Sequence, residues 1–193
     1  MDIMIDFESL GVSEDSVILS MGLTVFDKDV IYTKYYEEYD MRFQVADGCT
    51  VNPDTVAWWH RTNRKEFDRL ILSGKLYPWK SIDFLVSRLR QDYKIQSIWS
   101  RGSIDFKWLN RNLENPFPYW SSRDCRTLDM FVKMEGSNDH NALNDAVRQT
   151  EQVQRVMQWQ CNVQSVEAWS TSRLRDAESV IIDPLKSVNI VPA

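Results

Sequence analysis

The sequence predicts an α/β fold in which a mixed β-sheet, with an antiparallel meander first and parallel strands after it, is flanked by helices. Three strand-like segments separated by turns occupy residues 3–39. Residues 53–113 then alternate between helical periodicity and a short apolar run, and a long amphipathic segment covers 141–160. Strands that alternate with helices are typical of parallel pairing, so the sheet is expected to contain both kinds of neighbour.

The first predicted strand carries two acidic residues on one face. Apolar residues at 3, 5 and 7 alternate with Met4, Asp6 and Glu8, and period-two alternation indicates a strand. Asp6 and Glu8 therefore lie on the same side of that strand. Residues 17–26 and 30–39 are expected to form the second and third strands, joined by a hairpin turn.

Two helices, a buried strand and a third helix are predicted next. Pro53 begins the first helix, which is expected to continue to Gly74, and the second helix covers 78–94. The apolar run 95–99 predicts a buried strand, and the helix after it covers 105–113. Asp105 then lies at a strand-to-helix junction.

The C-terminal part of the chain has a weaker pattern. Residues 126–132 predict a strand or a short helix, and 179–182 are compatible with a strand. We expect one main domain over 1–160 and a tail over 161–193 that packs on the domain or on a second subunit.

Composition excludes several classes of protein. The chain has 193 residues, 43% of them apolar, which is enough for one ordered core. No apolar run approaches the roughly 20 residues that span a bilayer, and the N-terminus does not resemble a signal peptide. Three scattered cysteines fit a reducing compartment. These features predict a cytoplasmic protein with no membrane partner.

Net charge argues against one class of partner. The formal charge of −5 argues against a broad basic face for duplexes. Because a cluster of carboxylates accounts for most of this charge, bound cations would neutralise it. The sequence therefore predicts metal-assisted binding of a short strand.

Five residues form the candidate catalytic set: Asp6, Glu8, Asp105, His140 and Asp145. Hard divalent cations such as Mg²⁺ prefer oxygen ligands, and a pair of them needs several convergent carboxylates. A histidine can accept a proton from an attacking water near neutral pH. His140 and Asp145 are five residues apart, which is about 500° of helical rotation, so they do not share a helix face. His140 is expected to lie in a loop before a helix capped by Asn141.

These residues resemble the motifs of the DEDDh exonucleases, a branch of the RNase H-like superfamily. Asp6-Phe7-Glu8-Ser9 is similar to the first motif, in which Thr is more usual at the last position. Gly102-Ser103-Ile104-Asp105 with Leu109 is similar to the second motif, in which Phe is usual before the aspartate. The spacing of His140 and Asp145 matches the third motif. The resemblance covers residues 1–160.

Within the DEDDh family the chain is most similar to RNase T-like members, among them a mycobacterial exoribonuclease and a phage 3′-5′ exodeoxyribonuclease. Residues 56–59 and 123–128 add to this similarity. The resemblance implies a 3′-5′ exonuclease that releases nucleoside 5′-monophosphates with two Mg²⁺ or Mn²⁺ ions. It implies that the four carboxylates hold the metals and that His140 is the general base. It also leaves open a phage-encoded enzyme that acts in the host cytoplasm.

Further residues are candidates for binding the substrate. The resemblance implies that the 3′-terminal nucleotide lies against Ser9, Leu10 and Gly11. Trp58 and Trp59 are adjacent, so on a helix one faces the core while the other can stack on a base. Further along the chain, Arg123 and Arg126 are candidates for phosphate contact.

The sequence leaves alternatives open for the substrate and for the activity. The expected substrate is a single-stranded DNA or RNA 3′ end, with DNA and RNA not distinguished, and RNase T-like relatives favour a homodimer. A non-catalytic nucleic-acid-binding module on a nuclease fold is the main alternative function. Endonucleolytic cleavage of hybrids is a third, against which the histidine argues.

Overall fold

Within the residues that the structure describes, a mixed sheet of five strands forms the centre of the fold. The structure is a computed structural model that describes residues 1–73, 77–78, 80–136 and 139–181, and for 162–181 the backbone alone. The strands are β1 (Asp2–Ser9), β2 (Ile18–Phe26), β3 (Ile31–Glu38), β4 (Ser97–Ser100) and β5 (Ser122–Asp124). Their order is β3-β2-β1-β4-β5. The first three strands pair antiparallel, whereas β4 and β5 are parallel to β1. The predicted fold class is therefore confirmed.

Helices cover the sheet on both faces. The described residues contain α1 (Met41–Ala46), α2 (Pro53–Thr62), α3 (Arg64–Ile71), α4 (Ser81–Asp92), α5 (Ser103–Arg111) and α6 (Ala142–Ile181). None of these helices is long and apolar enough to cross a membrane. The chain divides into two compact units, Met1–Val156 and Met157–Ala193. A domain boundary at residue 160 stays a prediction.

The central strand β1 is buried along both of its faces. Ile3, Ile5 and Phe7 belong to the main hydrophobic cluster, together with side chains of α4 and α5. Met4, on the other face, is also fully buried. Because β1 has a strand on each side and helices above and below, its acidic residues Asp6 and Glu8 are carried on the most rigid part of the sheet.

The beginning of α6 packs unusually closely against β2. A Cβ atom placed on Gly22 would lie 2.1 Å from the carbonyl oxygen of Ala142. About two turns further along α6, the hydroxyls of Thr24 and Thr150 are 2.6 Å apart. Gly22 pairs with Asp6 across the β1–β2 ladder. Glycine at this position therefore lets the helix that carries Asp145 reach the strand that carries Asp6.

The single helix predicted over 53–74 is wrong. The backbone leaves helical geometry at Asn63 (φ −148°, ψ 60°), and its side chain accepts a hydrogen bond from the backbone N–H of Glu66. Asparagine competes with the helix for such bonds and is a strong helix cap, so two helices form in place of one. Gly74, the predicted end, lies outside the described residues.

Three other local features compare differently with the predictions. Residues 125–130 form a 3₁₀ turn, which is the helical one of the two alternatives predicted there. The helix predicted to end at Gln160 continues to Ile181. Residues 179–181 are therefore helical, and the strand predicted there is wrong. Ile182, the last residue of that predicted strand, lies outside the described residues. A short apolar run does not distinguish strand from helix by periodicity. The six-residue α1, capped by Asp40, was not predicted.

Candidate active site

A cavity of about 870 Å³, here called the main cavity, opens at the end of β1. Its walls come from β1, α2, α5 and α6 and from the loop that precedes α6. The five candidate catalytic residues all line it: Asp6, Glu8, Asp105, His140 and Asp145. Residues separated by more than a hundred positions in the chain therefore converge on one concave, polar site.

Two of the carboxylates come from the central strand and one from α5. Asp6 and Glu8 lie on the same face of β1, as their spacing predicts, and Glu8 is buried. Asp105 lies in the first turn of α5, directly after β4, and is 6% exposed. The N-terminal turn of a helix favours a negative charge there.

Asp145 and His140 complete the candidate catalytic set, and they lie just after and just before the start of α6. One oxygen of Glu8, one oxygen of Asp145 and one ring nitrogen of His140 all lie within 4.8 Å of one another. Asp145 is in the first turn of α6 and His140 lies in the loop before it. These three side chains can converge on a single cation.

Burial raises the pKa values of all four carboxylates, and the charges of the other site carboxylates add to the shift for Asp6 and Glu8. Burial, and then the charges of Asp105 and Asp145, raise the pKa of Asp6 well above its usual value. Burial raises the pKa of Glu8 to about 10, with the charge of Asp6 as the next cause. Burial likewise raises the pKa of Asp105 to about 7 and that of Asp145 to about 6. Like charges held this close disfavour the ionised form unless a cation lies between them.

His140 is held in an uncommon conformation by its surroundings. Its φ of 53° is in the left-handed region, which non-glycine residues seldom adopt. The rings of Trp58 and Trp59 lie against the imidazole, with centroids 4.7 and 5.9 Å away. Burial lowers the pKa of His140, which favours the neutral imidazole that can accept a proton.

The residues on each side of His140 are tied to α3. The side chain of Asn63 donates a hydrogen bond to the carbonyl oxygen of Asp139. The Asn141 amide donates to Oε1 of Glu66 at 3.2 Å. Asn141 also caps α6, since its Oδ1 accepts from the backbone N–H of Asn144 at 3.2 Å. The break between α2 and α3 thus provides the residues that fix the His140 loop.

Sequence reasoning missed two residues that contact the carboxylates. Gln149 is 2% exposed and donates from Nε2 to Oδ1 of Asp6 at 2.7 Å. Arg148 donates to Asp145, and both of these residues line the main cavity. The available signal was helical spacing, because residues 145, 148 and 149 share one face of α6.

Some of the candidate substrate-binding residues line the main cavity and others do not. Ser9, Gly11 and Trp58 line the main cavity, and the backbone carbonyl of Ser9 accepts from Nε1 of Trp59 at 3.0 Å. Trp59 itself is buried. Leu10 lies in a hydrophobic cluster and does not line the main cavity.

Arg123 and Arg126 also lie outside the lining of the main cavity. Arg126 forms an ion pair with Asp124 at 2.7 Å. It remains close enough for its charge to lower the pKa of Asp105. Arg123 is exposed on β5. Their contact with a phosphate of the substrate stays a prediction.

A comparison with protein families gives one match that covers most of the chain. A family model described as the 3′-5′ exoribonuclease Rv2179c-like domain matches residues 1–157. The matched range contains every residue of the candidate site. No curated protein matches the chain.

Proposed function

Since the chain belongs to the Rv2179c-like 3′-5′ exoribonuclease domain family, we propose that it removes nucleotides from the 3′ ends of single-stranded nucleic acid by a DEDDh-type, two-metal mechanism. The observation that carries this proposal is the convergence of four carboxylates and one histidine in a single cavity. The products are nucleoside 5′-monophosphates. The similarity to RNase T-like enzymes belongs to the same proposal.

The donor set fits hard divalent cations. Asp6, Glu8, Asp105 and Asp145 offer oxygen ligands, as Mg²⁺ and Mn²⁺ require. Burial raises their pKa values, and the charge of Arg148 and the hydrogen bond from Gln149 offset this only in part. When bound, a pair of divalent cations supplies positive charge that polarises the scissile phosphate and favours ionisation of the attacking water.

Residues of the chain itself transfer the proton, orient the carboxylates and hold the terminal base. A ring nitrogen of neutral His140 accepts the proton of the attacking water. Gln149 orients the Asp6 carboxylate, and Arg148 orients that of Asp145. The partly buried Trp58 provides an apolar wall against which the 3′-terminal base stacks, beside Ser9 and Gly11.

An end-trimming assay tests the proposed function. Wild-type protein with Mg²⁺ or Mn²⁺ is expected to convert a 5′-labelled single strand into a ladder that shortens from the 3′ end. A circular strand of the same sequence should stay intact, which separates this activity from endonucleolytic cleavage. Tight binding without a ladder in either ion would instead favour the non-catalytic binding module. Matched DNA and RNA strands in the same assay determine the preferred sugar.

Metal removal is expected to make thermal stability depend on pH. Carboxyl groups whose pKa is raised by folding stabilise the fold below about pH 4 and lose that contribution as pH rises through the folded-state pKa. For Asp145 and Asp105 these values are about 6 and about 7. In EDTA, the melting temperature should therefore fall by roughly 5 °C between pH 5 and pH 8.

Saturating Mn²⁺ should reverse this fall, because the cation binds the ionised carboxylates. The stabilisation by Mn²⁺ is therefore expected to be larger at pH 8 than at pH 5. Asp105→Asn provides the control, since a neutral amide at that position should make the decline in EDTA shallower. A melting temperature that is independent of both pH and Mn²⁺ would contradict the metal assignment.

A further inference from the structure

We propose that Arg61 binds a backbone phosphate of the single strand on the 5′ side of the scissile linkage, so that the strand leaves the main cavity at the C-terminal end of α2. The inference rests on the proposed function, because it takes the occupant of the main cavity to be a nucleic acid. Three observations carry it. Arg61 lines the same cavity as the catalytic candidates, it follows Trp58 by one helical turn, and its charge has no carboxylate partner among the described residues.

The helix α2 has three faces with different surroundings. Trp59 is 1% exposed and belongs to a hydrophobic cluster. The ring of His60 lies against that of Phe67 on α3, with centroids 5.0 Å apart. The third face, here called the cavity face, lines the main cavity with Asp54, Thr55, Trp58 and Arg61. Residues three and four positions apart are neighbours on a helix, so positions 54, 58 and 61 form one continuous row.

Trp58 connects the cavity face with the catalytic candidates. The centroid of its ring is 4.7 Å from that of the His140 ring. Arg61 lies three positions further on, which is about 4.5 Å along the helix axis. The side chain of Arg61 is therefore close enough to contact the strand next to a base that stacks on Trp58.

The charge of Arg61 remains available to a ligand. Two other arginines line the main cavity, and both are paired with carboxylates. Arg101 pairs with Asp129 at 2.8 Å, and Arg148 pairs with Asp145. Arg61 is exposed and forms neither an ion pair nor a hydrogen bond with any residue that the structure describes. Its planar guanidinium offers donors in the arrangement that phosphate oxygens accept.

Opposite charges at the two ends of the cavity face set the direction of the strand. Asp54 lies in the first turn of α2 and Arg61 in the last. The seven positions between them correspond to about 10 Å along the axis. A polyanion is repelled at the first end and attracted at the second. The strand is therefore expected to leave the cavity past Arg61 rather than past Asp54.

A structural role is the competing explanation for Arg61. A basic residue in the last turn of a helix also stabilises the helix dipole. That role, however, does not require a place in the lining of an acidic cavity. The two explanations predict different results, because the structural role affects stability and the proposed role affects substrate binding.

A neutral linkage in the substrate provides the test. The substrates are short single strands, either natural or with a methylphosphonate in place of the first or the second phosphate upstream of the scissile one. Arg61→Gln is expected to raise KM for the natural strand about fivefold, with kcat unchanged. Wild type should show a similar rise on the strand whose contacted phosphate is neutral, and there Arg61→Gln should add nothing. Such non-additivity identifies a direct contact.

Arg64→Gln is the matched control, because it makes the same chemical change on the neighbouring helix. Arg64 pairs with Asp68 at 3.4 Å and does not line the main cavity. Arg64→Gln should therefore keep the wild-type KM on every strand. Arg61→Lys keeps the charge but not the planar donors, so it should raise KM less than Arg61→Gln does. Because Arg61 is exposed, its variants should melt close to the wild-type temperature.

Three results would overturn the proposal. A wild-type KM for Arg61→Gln on the natural strand would leave Arg61 as a solvated residue. The same KM together with a lowered melting temperature would assign it to the helix dipole. An equal rise in KM on all three strands would show a general effect of charge without a contact.

Failure of the proposed function itself is distinguishable from these results. If wild type trims no strand, the proposed function fails, and fluorescence anisotropy of the same labelled strands then decides about Arg61. Weaker binding of the natural strand by Arg61→Gln, with no loss on one of the modified strands, would support the contact. Equal binding of all strands by wild type and Arg61→Gln would exclude it.

Discussion

Asp6→Asn is expected to slow 3′-end trimming about a thousandfold. Asp6 lines the main cavity with the other candidates, and burial, followed by the charges of Asp105 and Asp145, raises its pKa. Replacing one carboxylate oxygen by an amide removes a negative charge and an oxygen that would hold a divalent cation in the proposed mechanism. The loss corresponds to several kcal/mol of transition-state stabilisation, and it should appear in kcat with Mg²⁺ and with Mn²⁺ alike.

The same substitution is expected to leave the fold intact. An asparagine keeps an oxygen that can accept the bond from Gln149, and it removes a buried charge. Because the raised pKa of Asp6 means that its ionised form destabilises the metal-free fold, Asp6→Asn in EDTA at pH 8 should melt at the wild-type temperature or above it. Lost activity with retained or increased stability distinguishes a catalytic role from a structural one.

Asp2→Asn is the matched control for this experiment. Asp2 lies on the same strand and is buried, but its carboxylate accepts from the backbone N–H of Ser97 and from Nε1 of Trp99. It does not line the main cavity. Asp2→Asn should therefore trim at nearly the wild-type rate. If Asp6→Asn trims as fast as Asp2→Asn, the proposed mechanism is wrong.

The parts of the fold that were predictable are those governed by local pattern. Alternation in β1 is a property of eight consecutive residues, and it places Asp6 and Glu8 together whatever the rest of the chain does. The break at Asn63 was not predictable from apolar spacing, because the helical pattern continues across it. Only the capping chemistry of the asparagine side chain indicates where one helix ends and the next begins.

The contacts around the candidate site were harder to predict because they join distant parts of the chain. Gln149 contacts Asp6 across 143 positions, and no local pattern identifies such a pair. Arg123, a candidate for phosphate contact, lies on the edge strand β5 and outside the lining of the main cavity, so its role stays a prediction.

Gly22→Ala is expected to combine a loss of stability with a loss of activity. Its Cβ would lie 2.1 Å from the carbonyl oxygen of Ala142 and 2.4 Å from the backbone nitrogen of Leu143. Neither atom belongs to a side chain that can rotate away, so the start of α6 must move. Overpacking of this kind costs about 1–3 kcal/mol, which is roughly 2–12 °C in melting temperature for a domain of this size. Displacing Asp145 relative to Asp6 should also reduce kcat by about a hundredfold.

Gly48→Ala separates this steric effect from the general cost of replacing glycine. Gly48 has a φ of 91° but no heavy atom within 4 Å of the added Cβ, so it reports backbone strain alone. Gly22 is not in the left-handed region, so the cost there comes from contact with α6. Gly48→Ala is expected to lose about 1 kcal/mol of stability and to keep its activity. Equal activity in the two variants would show that the position of α6 does not control the site, because the clash would then be absorbed without moving Asp145.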